Sequence, residues 1–121
     1  MYLPSPLVLL TTLLLTPVPQ ATARCFSGGE KWDSDQSTAL ENAKRACREG
    51  LASIYGNEGG SATRSRCYDV GSNRRAEYTV GRTVLGSPRT LGYDECFDGL
   101  RKEVEGCEHG GSSEYTNWFY T

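Results

Sequence analysis

His109 is the only histidine in the chain, and an imidazole is the side chain best suited to moving a proton near neutral pH. With Glu77 as a second proton-transfer group and an arginine to hold a phosphate, it could compose a small secreted ribonuclease of the fungal type. Set against that, His109 stands in a Gly110-Gly111 loop with no orienting partner nearby in the sequence, the usual setting of a solvated histidine. The chain has 15 Asp and Glu, but paired carboxylates that cleave sugars usually line larger clefts than so short a domain encloses. There is no P-loop, no dinucleotide fingerprint and no G-x-S-x-G nucleophile turn. No C-x-x-C pair accompanies the single histidine, so neither a metal nor another cofactor is expected.

The aromatic residues are the stronger lead. Tyr115, Trp118, Phe119 and Tyr120 crowd the last stretch, and Trp32 precedes the first helical pattern. If Ser113 to Tyr120 is one strand, Trp118 and Tyr120 share one face with Thr116, and Tyr115 and Phe119 share the other with Asn117. One face packs into the core. The other offers rings beside polar groups, which suits a sugar: apolar C–H patches to stack and hydroxyls to hydrogen-bond. The candidate ligand residues are Trp118, Tyr115, Asn117, Tyr78, Asp69 and Trp32. The structural alternative is that such rings fill a core short of aliphatic side chains.

That shortage is visible once the N-terminus is set aside. The first 23 residues carry no charged side chain, place an apolar run at Leu7 to Leu15, and close on Ala21-Thr22-Ala23. This is the build of a secretory leader cut after Ala23, with a run too short to span a bilayer. The remaining 98 residues form one domain, 24–121, with ten Val, Ile and Leu against eleven aromatics, and all 14 glycines. Such a domain needs covalent help in an oxidising, extracellular setting. Net charge is −2, which gives no electrostatic reason to expect nucleic acid or an anionic membrane as partner. No N-x-S/T sequon occurs, so the chain is not expected to carry N-linked glycan.

The cysteines are Cys25, Cys47, Cys67, Cys96 and Cys107, an odd number. One is free, or joins two copies as a homodimer, or has its partner beyond Thr121, as in a C-terminally truncated chain. Fifteen two-bridge patterns remain open. One pair is excluded: Cys96 and Cys107 on a single helix would stand roughly 16 Å apart.

Local signals supply the elements that would position these residues. Ala39, Leu40, Ala43, Ala46 and Cys47 make a narrow helical face. Thr38 with Glu41 could form a capping box, Ser34 or Asp35 could cap earlier, and Gly50 is a stop. Gly56 to Ser61 reads as a loop. Arg66 to Val70 and Arg75 to Val84 read as a hairpin about Gly71-Ser72-Asn73, with Ala76, Tyr78 and Val80 alternating inward and Gly81 marking a bulge. Tyr93, Cys96, Phe97, Leu100, Val104 and Cys107 recur at helical spacing, ended by Gly106. The expected fold is α+β: two helices on a mostly antiparallel sheet of about three strands, a small disulfide-stapled α/β sandwich.

The 24–121 segment resembles the Y-three-like glycan-binding family of small secreted fungal proteins. The resemblance is carried by Cys25-Phe26-Ser27-Gly28-Gly29-Glu30-Lys31-Trp32, the Ala43 to Cys47 helix end, Cys67, Cys96 with Leu100, Gly106-Cys107 before Gly110-Gly111, and Asn117-Trp118-Phe119. It implies a disulfide-stapled α/β sandwich that binds N-glycan-type sugars on glycans or glycoproteins, without catalysis. It also implies a chain that continues to a further cysteine. The expected function is therefore that of a secreted lectin-like protein. The alternatives are an effector- or toxin-like protein that binds a host protein, and, third, the ribonuclease.

Overall fold

The computed structural model describes residues 22–56, 62–71, 73–84 and 86–121, and only the backbone of residues 22 and 23. The expected leader up to residue 21 lies outside the described residues, as do residues 57–61 of the expected loop and Ser72 of the expected turn. In chain order the elements are β1 (Thr22–Cys25), α1 (Gln36–Ala46), β2 (Ile54–Tyr55), β3 (Thr63–Gly71), β4 (Arg74–Arg82), β5 (Arg89–Thr90), α2 (Tyr93–Glu105), β6 (Gly111–Glu114) and β7 (Trp118–Tyr120). The fold is α+β, with two helices against an antiparallel sheet of order β1-β6-β7-β4-β3 and a separate ladder of β2 with β5.

The long hairpin β3–β4 follows its alternating pattern. Tyr68, Val70, Ala76, Tyr78 and Val80 are buried, while Cys67, Asp69, Arg75 and Glu77 lie on the outer face. Asn73 turns the chain at φ 59°, a conformation Asn tolerates better than most residues. The register shift lies between Asp69 and Gly71, not at Gly81. Gly81 has another reason to be glycine: a Cβ there would fall on the Phe119 ring and within 2.9 Å of Thr63 Oγ1.

The sheet has five strands rather than three because the last segment folds on itself. Ser113 to Tyr120 is not one strand; it splits into β6 and β7, closed by the Tyr115 N–H donating to the Trp118 carbonyl at 2.8 Å. The chain just before Phe26 adds β1 along β6, pairing Arg24 with Ser112 and Cys25 with Gly111.

Helix α1 is preceded by a 3-10 turn at Asp33–Asp35 and followed by a wider turn, Cys47–Leu51. The expected capping box is absent, because the helix begins at Gln36 and holds Thr38 inside it. Asp35 does not cap either; its carboxylate lies 3.3 Å from Arg74. Gly50 does end the turn, at φ +129°. Ala39, Ala43 and Ala46 are fully buried, so the helix approaches the sheet closely enough for the Tyr78 hydroxyl to donate to the Ala39 carbonyl at 2.8 Å. Along α2, Cys96, Gly99, Leu100, Glu103 and Val104 form the buried stripe. The helix ends at Glu105, so Cys107 lies just past it rather than on it.

Two disulfides staple these layers. Cys47–Cys96 joins the end of α1 to α2 inside the core, and Cys25–Cys107 ties β1 to the chain leaving α2. Cys67 is the free thiol, exposed on β3. No helix among the described residues is long and apolar enough to cross a membrane.

Candidate functional site

β7 is shorter than its neighbours. It pairs with β4 only across Val80–Arg82, and Thr121 adds one more rung opposite Thr79. Beyond that rung, β4 from Arg74 to Tyr78 has β3 on one side and a cleft of about 390 Å³ on the other. That volume is within the range of small-ligand sites, about 300–1,000 Å³. Leu100, Glu103 and Val104 of α2 form its floor. Its outer end is lined by Phe26, Glu30, Trp32, Asn73, Arg74 and His109.

The backbone explains why two rings stand at this outer end. The Phe26 N–H donates to the Gly110 carbonyl, and the Trp32 N–H to the Glu108 carbonyl, each at 2.9 Å. The Trp32 indole N–H donates to the Cys107 carbonyl at 3.0 Å. A Cβ on Gly110 would lie 3.4 Å from Trp32 and 3.8 Å from Phe26, so both rings flank that glycine. Trp32 is half-buried and Phe26 is 41% exposed. A glycine at φ +80° keeps the turn between them open.

Charged groups surround the rings. Arg74 lies between Glu30 at 3.4 Å and Asp35 at 3.3 Å, and also reaches the Lys31 carbonyl. Arg75 pairs with Asp69 at 3.4 Å on the outer face. His109 holds its Nδ1 2.9 Å from the Gly29 carbonyl. Glu103 is the unusual group, a carboxyl only 5% exposed whose Oε2 accepts the Ser113 hydroxyl at 2.5 Å. Burial pushes its pKa above the usual carboxylate value, opposed in part by the Ser113 bond.

The six residues singled out in the sequence are scattered. Trp32 is at the cleft, and Asp69 reaches it only through Arg75. Tyr78 forms part of the wall but is 3% exposed, with its hydroxyl already satisfied. Trp118 is 4% exposed and packs edge-on against Tyr55 at 5.2 Å, so it presents no free ring face. Tyr115 and Asn117 sit at the far tip of the β6–β7 hairpin. There Tyr115 packs on Tyr120 with Lys102 above its ring, and the Asn117 carbonyl accepts the Thr83 N–H. By contrast, His109, Glu77 and two arginines, Arg74 and Arg75, all line one cleft.

Phe26, Asn73, Arg74 and Glu103 were not singled out by the sequence. Glu103 did leave a signal, being a charge three residues after Leu100 and seven after Cys96, on the apolar stripe of α2. No protein-family model, curated protein or solved structure matches the chain. No group of His, Cys, Asp and Glu suited to a metal ion occurs among the described residues.

Proposed function

We propose that this is a secreted, non-enzymatic carbohydrate-binding protein whose sugar lies at the outer end of the cleft. The observation that carries this reading is the pair of rings, Phe26 and Trp32, standing together beside Glu30, Asn73 and Arg74. A pyranose face stacks on such rings while its hydroxyls take hydrogen bonds from the guanidinium and amide and give them to the carboxylate. The two disulfides and the charge-free N-terminal stretch support secretion.

A glycan array probed with the correctly bridged protein tests this. Binding is expected, with Phe26→Ala weakening it about tenfold, the worth of one stacked ring. Phe26 is exposed, so an unchanged circular dichroism spectrum is expected to accompany the loss. A blank array counts against the proposal.

A second reading has one specific observation behind it: His109, Glu77, Arg74 and Arg75 share the cleft. They are the residue types a ribonuclease needs for proton transfer and phosphate binding. Hydrolysis of a homopolymeric RNA that disappears in both His109→Ala and Glu77→Gln would favour this reading over the lectin. Absence of hydrolysis would remove it.

A further inference from the structure

A net charge of −2 conceals a segregation of charge. Six arginines gather where the end of α1 meets β2, β5 and the open end of the β3–β4 hairpin. Arg45 and Arg66 meet at Glu49, whose carboxylate lies 3.0 Å from Arg45 and whose carbonyl accepts the Arg66 Nε–H at 2.9 Å. Arg64 donates to the carbonyls of Gly50 and Ile54, at 3.3 and 3.2 Å. Arg82 donates to the Tyr55 carbonyl at 3.0 Å, and Arg89 stands opposite Tyr55 in the β2–β5 ladder. Arg48 lies on the turn that follows α1. Among the described residues, Glu49 is the one carboxylate paired with any of the six. Of the chain's 13 Lys and Arg and 15 Asp and Glu, that leaves seven cations against fourteen carboxylates elsewhere.

The folding role of these arginines accounts for their hydrogen bonds but not for their charge. The last carbonyls of a helix have no partner within it, and guanidinium groups can satisfy them. A carbonyl is a neutral acceptor, so the positive charge stays uncancelled. Donors are left over as well, because a guanidinium has five N–H groups. Arg48 and Arg89 are exposed and make no hydrogen bond or ion pair among the described residues. Arg66 donates through Nε and Nη1 and leaves Nη2 open. Beside Arg48 runs a shallow groove lined also by Ser53, Thr90 and Tyr93, the last 37% exposed.

We propose that this patch binds an acidic polysaccharide, a chain of sugars bearing sulfate or carboxylate groups. Its anionic groups accept the open N–H groups of Arg48, Arg66 and Arg89, whose planar forks match such oxyanions. A sugar ring lies in the groove against Tyr93, with the Ser53 and Thr90 hydroxyls beside its own. A nucleic acid strand has the same sign of charge but needs a run of exposed rings for its bases. Here Tyr55 and Tyr68 are buried, each under an arginine, with Arg64 at 5.0 Å from one ring and Arg45 at 4.3 Å from the other. Arg82 is eight residues from Arg74 along β4, about 27 Å. The sugar proposed above uses that other end of the hairpin, so the two readings stand or fall separately.

The test is a chemical-shift titration of the whole protein with a short heparin fragment at low ionic strength. Changes are expected at the Nε–H groups of Arg48, Arg66 and Arg89 and at the Thr90 amide. Affinity is expected to fall about tenfold or more when the salt concentration is raised fourfold. The pair Arg48→Glu and Arg89→Glu is expected to weaken binding by about tenfold or more, with an unchanged circular dichroism spectrum, since neither side chain bonds to the fold. The same fragment, desulfated and with its carboxylates reduced, is expected not to bind. Equal binding of that neutral fragment would overturn the proposal, because sugar rather than charge would be recognised. Tighter binding of a homopolymeric RNA with the same number of charges would assign the patch to nucleic acid and likewise overturn it. Changes centred on Phe26 and Trp32 would move the ligand to the cleft and refute the patch. Phe26→Ala separates the two sites, being expected to weaken array binding and to leave heparin binding as it is. No binding at low ionic strength would refute the proposal outright.

Discussion

Removing Cys25–Cys107 by the paired changes Cys25→Ala and Cys107→Ala is expected to lower stability by an amount the topology fixes. The bridge spans 82 residues, but Cys47–Cys96, which spans 49, lies inside it. With the inner bridge closed, the outer one removes freedom only from the 33 residues of separation that remain. Loop-closure entropy then gives about 3.7 kcal/mol, rather than the about 4.5 of an isolated bridge of that span. Cys25 is exposed and Cys107 half-buried, so truncating the sulfurs opens no core cavity. For a domain of this size the loss corresponds to a fall in Tm of about 15–30 °C. The assay is thermal unfolding followed by near-UV circular dichroism, in a Cys67→Ser background so that no free thiol can exchange with the remaining bridge. Removing Cys47–Cys96 instead, with the outer bridge closed, loses about 3.3 kcal/mol of loop entropy, and is expected to cost more in total because it also loses the packing of two sulfurs no more than 1% exposed. A fall below about 5 °C for the outer pair would refute the reasoning, because β1 would then fray locally without affecting the cooperative unit.

Three further outcomes are expected. Gly81→Ala drives a methyl into the Phe119 ring, and urea unfolding should show a loss of about 1–3 kcal/mol; a neutral result would mean that Phe119 does not pack there. Burial raises the Glu103 pKa above the usual 4.5, so the folded state holds that proton more tightly than the unfolded chain. The stability this confers is present below the usual value and is lost as pH rises through the raised one. Glu103→Gln keeps an acceptor for Ser113 and should gain on the parent protein over that interval of a pH series, whereas a parallel pair of curves would contradict the burial. Cys67 is the exposed free thiol, so an alkylating reagent without denaturant should label it alone, as peptide mass spectrometry can verify; label on any other cysteine would contradict the pairing.

Elements whose pattern repeats were legible in the sequence. Ala76, Tyr78 and Val80 alternate over enough residues to show the buried face of β4, and the Leu100 stripe marks α2. The same alternation, with Tyr68 and Val70 inward, also puts Cys67 outward, a signal that could have singled it out as the free cysteine. Short or conditional elements were not legible. β2 and β5 have two residues each, too few for any period, and exist only because they meet. The Tyr115–Asn117 turn contains neither glycine nor proline, so Ser113 to Tyr120 has the composition of a continuous strand. Strand parity did not carry across 115–117, because those residues form the turn: Tyr115 packs on Tyr120, which the alternation puts on the opposite face, and Trp118 went to the core against Tyr55. The cleft lies beside β4, among residues of β4, α2 and the segments that follow β1 and α2, a meeting of distant segments that no local pattern records.

The most direct test of the proposed function is a chemical-shift titration of the isotopically labelled protein with a glycan that binds it on the array. The account requires the largest changes at the Trp32 indole N–H and at the amides of Phe26, Arg74 and Gly110. Changes centred instead on Tyr115 and Asn117 at the far hairpin tip, or no changes with any glycan, would contradict it.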